Sequence, residues 1–208
     1  ARSIAVDGTQ IWVATSVGAA VGNRNDPSLT SPTSWTRYTT FGGISSALFT
    51  VAISSYGVLV GSGTGAAVFN GSAFNAVPLY VGRSVVSIFR VQDKLAVLSV
   101  SSGEGRVDIL NDPTQAYVNS WNVQGFTPTR IAFSENGRSF WVGTSSQGIG
   151  AFTGTGWNLT APDGPQSHQC ISLGVAEDGN VWIASGMNGS GKGFYRFDPD
   201  RVEGAQWK

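Results

Sequence analysis

Apolar residues fall along this chain in short runs such as "SIAV", "IWVA", "VLVG" and "FWVG", each broken within a few positions by Gly, Ser, Asn or Asp. No window of eleven or more residues keeps a 3.6-residue period free of Gly and Pro, so strands are expected throughout and long helices nowhere. The runs also recur in a fixed order. "VDGTQIWVATS", "SSYGVLVGSG", "VQDKLAVLSV", "SENGRSFWVGTS" and "AEDGNVWIASG" are five versions of one unit, centred on Trp12, Leu59, Ala96, Trp141 and Trp182 at spacings of 47, 37, 45 and 41.

Each unit begins with an apolar run ("SIAV", "TVAI", "SIFRV", "RIAF", "SLGV") and turns at Asp7-Gly8, Tyr56-Gly57, Gln92-Asp93, Asn136-Gly137 or Asp178-Gly179. Four of these are X-Gly pairs that suit a tight hairpin, and the third copy lacks the glycine. The central run follows, then a Gly/Ser-rich turn and a third run ("AAV", "AAVF", "RVDIL", "IGAF", "GFYRF"). The fourth run carries Trp35, Phe74, Trp121, Trp157 or Trp207. A four-stranded meander of about 42 residues, repeated, is the pattern of a β-propeller blade. The expectation is an all-β protein with blades at approximately 1–41, 42–80, 81–126, 127–161 and 162–208, the last incomplete. Where the centre is a wide ring it fills the wedge between neighbouring blades, which makes Trp12, Trp141 and Trp182 expected core staples.

"GGISSALFTVAISSYGVLVGSGTGAAVF" and "DGPQSHQCISLGVAEDGNVWIASGMNGSGKGFYRF" carry the order of a strand, D-G-x-L-W-I-G-T and a Gly-rich turn. In this the chain resembles the two-component regulator propeller repeat family over nearly its whole length. The resemblance implies seven blades to a propeller, as in sensor ectodomains of Bacteroidota hybrid histidine kinases and in surface propellers associated with type IX secretion. It implies an extracytoplasmic location, in the periplasm or at the cell surface. The chain begins beside the first strand of one unit and stops within the outer strand of another, and a closed ring normally joins its ends inside one blade. A portion of a larger propeller is therefore expected.

Composition narrows the function. Thirteen basic and thirteen acidic side chains cancel, leaving no global field to gather nucleic acid or an anionic membrane. No apolar run approaches the roughly 20 residues that span a bilayer as a helix. The single cysteine, Cys170, excludes an internal disulfide framework and a cysteine-cluster metal site, and reads as a small buried apolar residue.

The candidate chemistry is sparse. Gly186 to Gly193, "GMNGSGKG", satisfies G-x-x-x-x-G-K, but a phosphate loop needs Ser or Thr next and a helix behind it. Here Gly193 and the strand-like "FYRF" follow, so a hairpin turn is expected. "NDP" at Asn25 and at Asn111, and "DPD" at Asp198, recur after third strands as turn punctuation, without calcium-loop spacing. Sequons begin at Asn70, Asn158 and Asn188, in turn-rich sequence that generates such matches by chance. No two acids are placed as a glycosidase pair, so no catalytic residue, metal or cofactor is assigned.

Loops between blades and the turns between second and third strands share one face of a propeller. That rim collects Ser45, Ser46, Arg83, Arg130, Gln166 and His168 as candidate ligand-binding residues. The leading expectation is a non-enzymatic module that binds a glycan, a protein partner or another domain of the same polypeptide. The alternatives are a propeller lyase or lactonase, which would have only His168 to work with, and a structural spacer.

Overall fold

In the computed structural model, residues 1–134, 139–145, 147–160, 169–187 and 190–201 are described. They form five antiparallel sheets in which each strand pairs with its sequence neighbour. Sheet one is β1 (Ser3–Asp7), β2 (Gln10–Thr15), β3 (Gly18–Asn23) and β4 (Trp35–Tyr38). Sheet two is β5 (Leu48–Ser54), β6 (Gly57–Ser62), β7 (Gly65–Phe69) and β8 (Phe74–Ala76). Sheet three is β9 (Ser84–Val91), β10 (Lys94–Ser101), β11 (Glu104–Leu110) and β12 (Asn119–Val123). Sheet four is β13 (Pro128–Phe133), β14 (Phe140–Thr144), β15 (Ile149–Phe152) and β16 (Trp157–Thr160). Sheet five is β17 (Cys170–Val175), β18 (Val181–Met187) and β19 (Ser190–Phe197), three strands among the described residues. The chain divides into two compact units, Ala1–Ser101 with Arg106–Trp121, and Ser102–Gly105 with Asn122–Lys208.

The repeat unit survives into atomic detail. Hairpin turns at Asp7-Gly8 and Tyr56-Gly57 place glycine at φ +54° and +120°. In the third copy Gln92 itself takes φ +56°, closing the two-residue turn between Val91 and Lys94 without a glycine. Three residues after each central position stands a hydroxyl: Thr15, Ser62, Ser99, Thr144 and Ser185. In three copies it closes the next turn, donating to the carbonyl of Gly18 (2.8 Å), Gly65 (3.2 Å) or Gly148 (3.0 Å). A one-residue bulge lies opposite this hydroxyl in the first strands of sheets two to five, at Phe49, Val86, Thr129 and Ile171. Such bulges kink a strand and re-aim the side chains next to them.

In the first unit Trp12 is 2% exposed and sits with Leu48, Val51, Val58, Val60, Ala67 and Phe74 of sheet two. Tyr38 stacks on its ring at 5.6 Å, and Phe69 and Phe74 close in at 5.3 and 6.0 Å. Leu59 takes the equivalent place in the following layer, among Val85, Ile88, Leu95, Val97 and Leu110 of sheet three. In the second unit Trp141 is buried with Cys170, Val181, Ile183 and Phe197 of sheet five. In these three sheets the central residue thus packs onto the sheet that follows. Trp182 departs from the expected role: it is 49% exposed, and among the described residues no sheet follows sheet five in the chain.

Glycines two positions past the centre let the next first strand approach. A Cβ on Gly61 would stand 2.6 Å from Val85 Cγ1 and 2.8 Å from the Val85 carbonyl oxygen. Gly61→Ala is expected to destabilise by about 1–3 kcal/mol through overpacking. Gly174→Ala, where nothing lies within 4 Å, should leave the urea midpoint almost unmoved. Equal shifts in both variants would contradict the close approach.

Candidate functional site

The first unit assembles a loop cluster at the end of the sheets opposite the Asp7-Gly8 and Tyr56-Gly57 hairpins. Its hub is Thr64, in the turn between β6 and β7. The Thr64 hydroxyl accepts from the Ser45 backbone N–H at 2.8 Å, and its carbonyl accepts from Gly82 N–H at 3.0 Å. Ser45 Oγ in turn accepts from Ala47 N–H at 3.2 Å. A Cβ on Gly65 would touch both Ile44 and the Tyr80 carbonyl, which shows how closely the two inter-sheet loops meet there. Ser45, Ser46 and Arg83 are half-buried in this cluster.

Arg83 is not a plain solvated charge. Its Nε donates to Ser99 Oγ at 3.0 Å. The reason lies in the third copy, where β10 runs on to Ser101 and the hairpin turns two residues later than in the first, second and fourth copies. Ser99 therefore lies inside the strand, fully buried, and its oxygen receives the arginine.

Behind Arg83 lies a buried polar group that sequence reasoning missed. Pro78 starts a single 3₁₀ turn, Pro78–Tyr80, that drives the Tyr80 ring between sheets two and three. The Tyr80 hydroxyl donates to Asp108 Oδ2 at 3.0 Å. Arg106 Nε donates to the same oxygen at 2.9 Å, and Ser120 Oγ donates to Oδ1 at 2.6 Å. Asp108 and Tyr80 are both fully buried. Burial and, after it, the neighbouring Asp108 push the Tyr80 phenol well above its ordinary value, which keeps the proton where the hydrogen bond needs it. The signal was available: Asp108 is an acid inside the strand run "RVDIL", where the other copies have small or apolar residues.

In the second unit Arg130 is half-buried on β13. Its Nη1 donates to the Thr129 carbonyl at 2.7 Å, and burial lowers its pKa, opposed by Cys170 beside it. The Thr129 hydroxyl, on the bulge, donates to the Gly143 and Cys170 carbonyls at 3.1 and 3.3 Å. Gln166 and His168 lie outside the described residues, as do Asn136-Gly137 and Trp207. Among the candidates, then, the structure gathers Ser45, Ser46 and Arg83 in the first unit and places Arg130 in the second.

Burial pushes the Cys170 thiol up to about 11 from an ordinary 9.0, with Arg130 opposing. A raised acid pKa stabilises the fold only while the group stays protonated. Below pH 9 both folded and unfolded chains hold the proton; between 9 and 11 only the folded chain does, so stability falls as pH rises. Urea unfolding across that range should show a decline that Cys170→Ala reduces. A decline of unchanged size in Cys170→Ala would contradict the buried thiol.

The other motifs resolve as structure. Gly186 to Gly193 is the β18–β19 hairpin, with Met187 opposite Ser190 and a strand rather than a helix after it. Asp26, Asp112 and Asp198 each accept from a backbone N–H two residues on, at 2.8, 2.8 and 3.2 Å, which is turn punctuation. Among the described residues no group of three or more His, Cys, Asp or Glu is placed to hold a metal ion, and no helix is long and apolar enough to cross a membrane.

Repeated antiparallel meanders of one strand order, with Trp12, Leu59 and Trp141 each packed onto the sheet that follows, define a β-propeller, and the chain is built of five such blades. Solved propellers share this fold at low identity. The extracellular domain of the two-component system BT4673 from B. thetaiotaomicron matches 97% of this chain with a TM-score of 0.69 and 13% identity. The β-propeller domain of Cps50 (Swd1) from Myceliophteria thermophila matches 94% with a TM-score of 0.67 and 11% identity. YCF48 bound to D1 peptide matches the whole chain with a TM-score of 0.63 and 12% identity. The chain spans 27%, 69% and 65% of those three proteins respectively. No family model matches the chain, and no curated protein does.

Proposed function

We propose that the chain is a non-enzymatic, extracytoplasmic binding module whose loop cluster around Thr64 takes a protein segment or a glycan. The observation that carries this reading is the convergence of two inter-sheet loops on Thr64, with half-buried Ser45, Ser46 and Arg83 presented on a rigid base. Serine hydroxyls, backbone amides and one anchored guanidinium are the groups that recognise peptide carbonyls, carboxylates and sugar hydroxyls. Pre-anchoring Arg83 through Ser99 lowers the ordering cost of binding.

Two fold neighbours support the reading. BT4673 contributes an extracellular domain, and YCF48 is solved with a peptide bound. In a sensor or a secretion-associated surface protein such a module would report or hold its ligand and leave chemistry to other domains.

The test is a screen of the chain against glycan and peptide arrays, repeated with Ser46→Trp, which crowds the cluster from a residue that makes no hydrogen bond among the described residues. Binding that weakens about tenfold or more in the variant is the expected result. Binding unaffected by Ser46→Trp, or turnover of an array compound, would overturn the proposal.

A further inference from the structure

The loop between sheets two and three ends in a turn that holds an apolar side chain in water. Arg83 N–H donates to the Tyr80 carbonyl at 3.0 Å, with Val81 at φ −59°, ψ 127° and Gly82 at φ +78°, which is a type II turn. Two further bonds lock it: Val81 N–H donates to the Pro78 carbonyl at 3.3 Å, and Gly82 N–H to the Thr64 carbonyl at 3.0 Å. The Tyr80 ring goes inward and is fully buried, so Val81 is left on the crest, 63% exposed. A turn bonded at each of these positions cannot tuck the valine away.

Two residues on stands Arg83. Its Nε is tied to the Ser99 hydroxyl, a neutral group that holds the side chain without cancelling its charge. Asp108, buried nearby, is ion-paired with Arg106 at 2.9 Å. The segments 41–47, 63–64 and 80–83 that make the cluster contain Arg83 and no Asp or Glu, in a chain whose charges otherwise balance. The cluster is therefore a local positive spot beside an apolar crest. A guanidinium held in place is the group best suited to grip a carboxylate.

The rings near the cluster are poorly placed for a sugar, whose apolar face packs on a flat exposed aromatic. Phe41 and Tyr80 are buried, and Phe49 is half-buried with the Arg2 guanidinium 5.3 Å from its ring. Gly43, Gly63 and Gly82 are exposed and leave the main chain bare, so that an extended backbone can lie close. Taking the Thr64 cluster as the binding site, we infer that its ligand is an acidic peptide segment, one carboxylate meeting Arg83 and a neighbouring aliphatic side chain packing on Val81. Side chains two residues apart on an extended peptide share a face, which is the spacing such a pair needs.

Fluorescence anisotropy tests this with labelled nonapeptides of Gly and Ser that carry Glu and Val two positions apart, in either order. Their counterparts have Gln for the Glu or Ser for the Val, and labelled oligogalacturonate supplies carboxylates on a glycan. One order of the Glu and Val peptide should bind about tenfold or more tighter than both of its counterparts, and more weakly as salt rises. Arg83→Gln should erase the preference for Glu over Gln and keep that for Val over Ser; Val81→Ser, on an exposed crest, should do the reverse. Equal binding of the Glu and Gln peptides, preferences that survive both variants, or no peptide bound at about 1 mM would overturn the inference. Oligogalacturonate or a neutral peptide bound in a manner sensitive to Ser46→Trp would overturn it while keeping the site. Peptide binding indifferent to Ser46→Trp would overturn the site and the inference together.

Discussion

Asp108→Ala should unfold the chain at markedly lower urea, with a loss of about 3–5 kcal/mol, the range for removing one partner of a buried ion pair. The size follows from what the carboxylate holds. It takes Tyr80, Arg106 and Ser120 together, two of them on one oxygen, in a place with no exposure to water. Removing it strands a buried phenol and leaves the Arg106 guanidinium without its counter-charge; Nη2 of that side chain already lacks a hydrogen-bond partner. Arg106 is 21% exposed and lies 5.7 Å from the Tyr117 ring, so it can turn outward and recover part of the loss. Asp108→Asn keeps an acceptor and should cost less than the alanine. Tyr80→Phe, which removes one hydrogen bond and keeps the ring, should cost about 1 kcal/mol. Equal stability of Asp108→Ala and the parent protein would refute the network.

The second large effect is a contrast between two tryptophans in the same position of the repeat. Trp12→Ala is expected to cost about 3–5 kcal/mol, since it empties the layer between sheets one and two and breaks contacts with three aromatic rings. Trp182→Ala, measured on dilute monomer, should fall within about 0.5 kcal/mol of the parent, as exposed substitutions do. By sequence the two positions are indistinguishable: each follows a turn glycine and precedes a small residue and a hydroxyl. Only the presence of a following sheet separates them. Equal losses at both positions would show that Trp182 is covered within the monomer.

That contrast shows what was legible in the sequence. The strands, their order and the blade repeat could be read because each residue choice is local: alternation, X-Gly turns, a ring or aliphatic at the centre. The turn hydroxyls of Thr15, Ser62 and Thr144 could have been read in the same way, three residues past each centre. What could not be read depends on two elements meeting. Whether Trp182 is buried is decided by another sheet, and the tie from Arg83 to Ser99 exists where the third copy's hairpin turns two residues later than in the two copies before it. Asp108 was visible as an acid within a strand, but its partners come from a 3₁₀ turn and from neighbouring positions in its sheet. The rim was legible as a set of loops, but the hydrogen bonds that gather two of them on Thr64, a residue with no motif around it, were not.

The cluster around Thr64 is the proposed binding end of the molecule. Hydrogen exchange of the chain with and without a bound array hit tests it most directly. New protection should be confined to residues 41–47, 63–64 and 81–83, with the turns at Asp7-Gly8 and Tyr56-Gly57 unchanged. Protection at those opposite turns, with none around Thr64, would contradict it.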